Sequence, residues 1–405
     1  MPASSSHRRV SLVLLFVALC LIAVNMRSPI TGVGPLLEQI SASTGRPLSV
    51  LSLLTSLPVL SWAIVSSLAH PLTRRFGMRR VVLAALVVLT IGSIARSLPG
   101  VGAEVSMWTG TVLIGAAIAV LNVLLPAIVK GSFGARTALV TGAYSALLAG
   151  CGAITSSLVV PISHAVSGGE GSAGWRVALV AVTMTLPLAI AAWVWHLRQV
   201  GPELPLPPRA AGAPRERSVW GDRTAWLIGG YMGTQSTMFY AMLTWTAPFS
   251  RSHGFSEVAA GNHTMLFQIL GVAGSLLLPF AMRGRLERWM PALVPVFGII
   301  GTTGLILFPE WISVWLVAQG LTSGAALTLT LTLMASRARD HHTASALSGM
   351  SQSVGYVIAG MAPLVFGWLH TLTGGWTLSF GYVIAILLTQ LTLGLFVGRG
   401  RRVFD

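Results

Sequence analysis

The sequence predicts an all-α membrane protein of twelve transmembrane helices in two halves of six, and three observations carry that reading. The 405 residues are 54% hydrophobic and only 9% charged, with a mean hydropathy of +0.76, where a soluble chain would carry about 25% charged residues. Apolar runs long enough to cross a bilayer, about 20 residues each, recur from end to end between short Arg-rich or Gly/Pro-rich breaks. The longest break, Leu197 to Arg223, leaves six runs on either side.

Taken in order, the runs cover about 10–37, 48–69, 81–98, 105–129, 137–160 and 175–197, then 224–249, 259–281, 291–308, 311–334, 343–370 and 376–398. The first follows His7, Arg8 and Arg9 as a signal peptide would, but it is too long and no Ala-x-Ala-like site closes it, so it reads as span 1. Prolines, glycines and mixed charges make the central break a linker. The domains are therefore 1–197, a six-helix bundle; 198–223, a cytoplasmic linker; and 224–405, a second six-helix bundle. Cys20 and Cys151 fall in apolar segments and read as packing residues.

The net charge of +15 is distributed as topology requires, not as a nucleic-acid surface. With the N-terminus inside, inner loops collect most of the arginines, and the outer side keeps only Arg46, Arg96, Arg176 and Arg251. That bias puts both termini in the cytoplasm. The bilayer and its anionic headgroups are the partners this charge implies, and nucleic acid is not.

Weak echoes about two hundred residues apart point to an internal duplication. "HPLTRRFGMRR" after span 2 answers "AMRGRLERWM" after span 8, "GAA" recurs at Gly115 and Gly324, and "GWR" at Gly174 answers "GGW" at Gly374. This architecture resembles the major facilitator superfamily. Its signature loop between spans 2 and 3 is matched at Arg75, Gly77, Arg79 and Arg80, which the resemblance makes a gating loop, although His70 and Arg74 replace its first glycine and its aspartate. Within that superfamily "NMRSPITGVGPLL", "NVLLPAIVKGSF", "YAMLTWTAPF" and "ALSGMSQSVGYVIAGMAPLVFGWLHTLTGGW" resemble the cyanate-permease and 2-nitroimidazole-transporter family. The resemblance implies a secondary transporter of a small, compact solute, bound near the midplane between the halves.

Polar side chains inside spans are functional candidates by default. Arg27 lies roughly 25 Å along span 1 from Val10, too deep to reach the interface easily, and guanidinium stays charged. All eleven acids fall at or near span ends or in loops, so its partner is a solute in a cavity or carbonyls freed by Pro29. Asn25, about 200° around the helix from Arg27, reads as interhelical glue or a solute contact. In span 7, Tyr231, Gln235, Met238, Met242 and Trp245 share one face, which makes Gln235 and Trp245 cavity candidates, with helix packing the alternative; the family block adds Tyr240. A stripe of Ser345, Ser348, Gln352 and Tyr356 in span 11, with Tyr144 near its repeat-equivalent position, offers further cavity candidates, with close packing at Gly349, Gly355 and Gly360 the alternative. Asn122, one turn before Pro126, bonds a freed carbonyl or the solute.

His263 is the one histidine well inside a span and the candidate for proton coupling, against the alternative of a hydrogen-bonded structural residue. No metal-ligand cluster, phosphate-cradling loop or nucleophile elbow is present, so no cofactor, no metal and no enzymatic activity are expected. The expected protein is a monomeric transporter that moves a cyanate-like or nitroimidazole-like solute by alternating access, with a proton as the candidate coupling ion. Proton-coupled multidrug efflux is the alternative. It usually exploits an embedded carboxylate, which these spans lack.

Overall fold

The computed structural model describes residues 5–100, 102–168, 171–199, 218–282, 286–339 and 341–404. The central part of the expected linker, 200–217, lies outside them. The described residues form fifteen α-helices that make up twelve spans, because three spans are broken.

Span 1 is α1 (Ser5–Thr31) followed by α2 (Val33–Thr44), interrupted at Gly32. Pro29 and Pro35 flank the interruption and each removes a ladder donor. Ser156 Oγ, 3.2 Å from Thr31 O, supplies one of the missing partners. Span 2 joins α3 (Leu48–Leu51) to α4 (Leu53–Phe76), and α5 (Met78–Arg96), α6 (Ala103–Phe133) and α7 (Thr137–Ser167) follow as spans 3 to 5. Span 6 breaks between α8 (Ala173–Ala181) and α9 (Leu186–Gln199).

The second half is continuous: α10 (Arg223–Ser252), α11 (Glu257–Ala281), α12 (Met290–Leu307), α13 (Ile312–Ser336), α14 (His341–Thr373) and α15 (Thr377–Val397). Asp222 and Ser256 cap α10 and α11 by accepting from the Ala225 and Ala259 amides at 3.0 and 3.2 Å. Eleven of the twelve spans are long and apolar enough to cross a membrane. The exception is α10, whose Thr, Ser, Gln and Tyr side chains are nearly all buried against neighbouring helices.

An even number of spans returns both chain ends to one side, called here the terminal end; the opposite side is the far end. The halves meet where α4 runs beside α14 and α7 beside α11. The duplication is visible in packing: Gly115 of α6 lies on Pro58 and Ser61 of α4, and Gly324 of α13 lies on the Gly271 carbonyl of α11. In both halves a glycine in the fourth span lets it close on the second, as small residues do where no water drives helices together.

At the far end the halves are tied by side chains. Arg251 Nε donates to Glu38 at 3.1 Å, Gln39 Nε2 donates to Glu257 at 2.7 Å, and His164 Nε2 lies 2.8 Å from the same Glu257 oxygen. Nearer the middle, Thr244 Oγ1 donates to Thr55 at 2.9 Å, and Ser157 Oγ to Asn262 at 2.5 Å. Gly34 brings α2 so close to α10 that a Cβ there would sit 2.8 Å from the Leu243 carbonyl oxygen.

Candidate functional site

Below this closed end lies a cavity of about 170 Å³ between the halves. Span 1 gives it Arg27, five residues before the break at Gly32, and α10 and α11 give it Gln235, Ser236, Gln268 and Ser275. Arg27 is half-buried on its wall. Nη1 donates to the Tyr240 hydroxyl at 3.3 Å, and the guanidinium lies 5.4 Å from the Phe239 ring centroid. Among the described residues Arg27 takes part in no ion pair, and no carboxylate lines the cavity.

The rest of the wall divides by chemistry. Gln235, Ser236, Gln268, Ser275 and Ser323 contribute amides and hydroxyls, while Phe239, Tyr356, Met232 and Leu327 contribute apolar surface. Gln235 Nε2 donates to Ser236 Oγ at 2.7 Å, which fixes its amide plane; Gln268 Nε2 is committed to Ser156 at 2.7 Å. Trp62 braces the aromatic side, meeting Tyr356 edge-on at 5.3 Å and Tyr240 at 6.1 Å. One fixed positive charge, several neutral hydrogen-bonding groups and flat apolar walls suit a small anion, or a planar solute with an electron-rich polar group.

Four of the residues expected at a site meet here: Arg27, Gln235, Tyr240 and Tyr356. The others stand elsewhere. Asn25 is fully buried and exchanges hydrogen bonds with Thr185, at 2.8 and 3.1 Å, where span 6 breaks; it is interhelical glue. Trp245 is at the far end, its indole N–H bonded to the Pro363 carbonyl at 2.8 Å and its ring stacked on Phe366. Tyr144 is buried in the apolar core of the first half, and Asn122 is exposed outside the cavity wall. Gln352 donates to Ser348 at 2.8 Å along its own helix and does not line the cavity.

His263 is also off the cavity. Its ring nitrogens lie 2.8 Å from Ser250 Oγ and 3.1 Å from Ser313 Oγ, so it joins α10, α11 and the start of α13. In the loop after span 2, Gly77 has φ 83°, a conformation that favours glycine, and the Arg79 carbonyl accepts from Trp193 Nε1 at 3.0 Å.

Gln268, Ser275, Ser236, Ser323 and Phe239 were not singled out by the sequence. Gln268, Gly271 and Ser275 are spaced by three and four residues, so a polar face of span 8 was readable; His263 lies five residues, about 140°, away from it. The face of α10 at the cavity also differs from the one its spacing predicts. The cavity takes Met232, Gln235, Ser236, Phe239 and Tyr240, whereas Tyr231 turns into the second half and donates to Pro291 O at 3.0 Å.

Arg96 ends α5 at the far end, where it is fully buried with Nη1 bonded to the Pro29 carbonyl at 2.6 Å. A carbonyl of the kinked helix is thus answered by an arginine, as was anticipated for Arg27, but by a different one.

Comparison with known proteins agrees with this geometry. The Major Facilitator Superfamily model matches residues 13–363. The chain is 34% identical over 404 residues to the 2-nitroimidazole transporter of Escherichia coli (strain K12), covering 100% of both. It is 30% identical over 394 residues to the cyanate transport protein CynX of the same organism, covering 93% of this chain and 96% of that one. Among solved structures, an inward-facing, unoccupied bacterial homologue of the human lysosomal transporter Spinster superposes with a TM-score of 0.80 at 15% identity, covering 98% of each chain. The D-xylose-proton symporter gives 0.74 at 13% identity, covering 96% of this chain and 98% of that one. The chain therefore belongs to the major facilitator superfamily and, within it, to the family that holds the 2-nitroimidazole and cyanate transporters, which makes it a multi-pass membrane protein of the class that transports small solutes.

Proposed function

We propose that this protein carries a small anion, or a compact planar solute with an electron-rich polar group such as a nitroazole, across the bacterial cytoplasmic membrane. The observation that carries the reading is Arg27: a guanidinium in the cavity between the halves, bonded to one tyrosine hydroxyl at 3.3 Å and to no carboxylate. Such a charge is costly in a membrane interior unless something negative or electron-rich joins it. Cyanate and a nitro group share what Arg27 selects, a planar arrangement of partial negative charge. Phe239 and Tyr356 add flat faces that suit an aromatic ring.

The solute is released by alternating access, the halves rocking about the cavity as a monomer. The far-end bonds of Glu38, Gln39 and Glu257 to the other half support a state closed on that side. With that side closed, access is from the terminal end. The positive-charge bias makes that end cytoplasmic. Opening the far end parts Glu38 and Glu257 from Arg251, Gln39 and His164, so a coupling proton acts at this cluster, with the Arg75–Arg80 loop as the opposing gate. The test is a thermal-shift panel of cyanate, other small anions and nitroazoles on the purified protein. Saturable stabilisation by one of these classes that Arg27→Ala removes is the expected result. Equal stabilisation of wild type and variant, or none by any anion or nitroazole, overturns the reading.

A further inference from the structure

The second half carries a cationic groove at the terminal end that the transport path does not use. It is a recess of about 1040 Å³ where the segment entering α12 meets the ends of α13 and α15, lined by Arg288, Arg337, Arg399, Glu287, Trp289 and Leu395. Its walls are built rather than accidental. Gly394 lies on the Pro291 carbonyl and Gly398 on the Arg288 carbonyl, contacts no larger residue would permit. Beyond Gly400 the chain turns back: the Val403 amide donates to Arg337 O at 2.9 Å, and the Phe404 amide to Asp222 at 2.8 Å.

Three guanidinium groups face one carboxylate in this recess, and among the described residues none of Arg288, Arg337 and Arg399 is within ion-pair distance of an acid. Arg337 Nε is buried with no hydrogen-bond partner, and Nη2 reaches only the Val397 carbonyl at 3.5 Å. Burial pulls Arg337 below the usual guanidinium range, and Glu287 only partly offsets this. Arg288 and Arg399 are exposed, held over the Trp289 and Phe396 rings at 5.0 Å each. The rim is apolar and exposed: Leu286 53%, Trp289 46%, Leu395 42% and Phe396 39%. An interface tryptophan with exposed aliphatic side chains beside clustered arginines is the chemistry of a headgroup with its acyl chains attached.

We propose that this groove binds the headgroup of an anionic phospholipid, its phosphate between Arg288, Arg337 and Arg399 and its chains against Trp289, Leu395 and Phe396. A free phosphate shares the arginine chemistry but has no use for the apolar rim. The experiment titrates the purified full chain in neutral detergent with short-chain phosphatidylglycerol, short-chain phosphatidylcholine or inorganic phosphate, reading the unfolding midpoint. Phosphatidylglycerol should stabilise saturably, and phosphatidylcholine and phosphate should not at the same concentration. Arg288→Gln and Arg399→Gln, both at exposed side chains, should each weaken the phosphatidylglycerol response about fivefold. Arg27→Ala should leave it unchanged, which separates this site from the solute cavity. Equal responses to the two lipids, an equal response to phosphate, or wild-type phosphatidylglycerol affinity in the Arg288→Gln/Arg399→Gln double variant would each overturn the proposal.

Discussion

Replacing Arg27 by alanine removes one charged donor group from the cavity and leaves the helix packing almost untouched. The side chain is half-buried, its one hydrogen bond is a long 3.3 Å contact to Tyr240, and its stacking on Phe239 is at 5.4 Å. Losing these costs the fold little, and removing an unpaired charge from the membrane interior offsets that cost. The solute loses more. A hydrogen bond to a charged group contributes about 1.5–3 kcal/mol, and a two-pronged contact from the guanidinium fork exceeds a single one. About 3 kcal/mol corresponds to roughly a hundredfold weaker binding. Arg27→Lys keeps the charge but not the fork, and should weaken binding about tenfold. Equilibrium binding of cyanate and of a nitroazole to purified wild type and variants reads these ratios, and the unfolding midpoint without solute controls for folding. Affinity within twofold of wild type in Arg27→Ala, at an unchanged midpoint, refutes the solute-site reasoning. Equal binding by Arg27→Lys and wild type would refute the fork alone.

Other perturbations separate the cavity, the gate and the scaffold. Tyr240→Phe should weaken solute binding about fivefold, since the hydroxyl that accepts from Arg27 also positions it. Gly34→Ala puts a methyl 2.8 Å from the Leu243 carbonyl oxygen and should prop the far end open, seen as faster labelling of a Thr55→Cys probe in a Cys20→Ser/Cys151→Ser background; unchanged labelling would show that this contact is not part of the gate. Glu257→Gln weakens the ties across the halves to His164 and Gln39 and should raise labelling of the same probe. His263→Ala removes two hydrogen bonds, at 2.8 and 3.1 Å, and should lower stability by about 2 kcal/mol while leaving solute affinity unchanged; a specific loss of affinity would return His263 to the transport path.

The spans and the duplication were legible because lipid imposes length and polarity on whole segments, and a glycine such as Gly115 recurs at Gly324. Arg27 was legible for the same reason, as a charge where none is tolerated without purpose. Which face of a helix meets the cavity was not. Tyr231 and Gln235 are one turn apart, yet one bonds the Pro291 carbonyl and the other lines the cavity, because α10 is enclosed on nearly all sides and periodicity then marks no single inward face. The burial of Arg96 was not legible either. It ends its helix as a loop residue would, and only the kink at Pro29 brings a carbonyl within its reach. The far-end cluster of Glu38, Gln39, His164 and Glu257 draws on α2, α7 and α11, so no local pattern announces it.

The enclosure of α10 has a consequence for how the chain is made. A nascent segment that is too polar to qualify as a span gains little by leaving the translocon for lipid on its own. Its Thr, Ser and Gln side chains become acceptable in the membrane only when helices of both halves surround them. The seventh span is therefore expected to linger near the insertion machinery until α11 and α14 are synthesised. The second half made without the first should insert α10 inefficiently, with α11 and the spans after it at risk of inverted orientation.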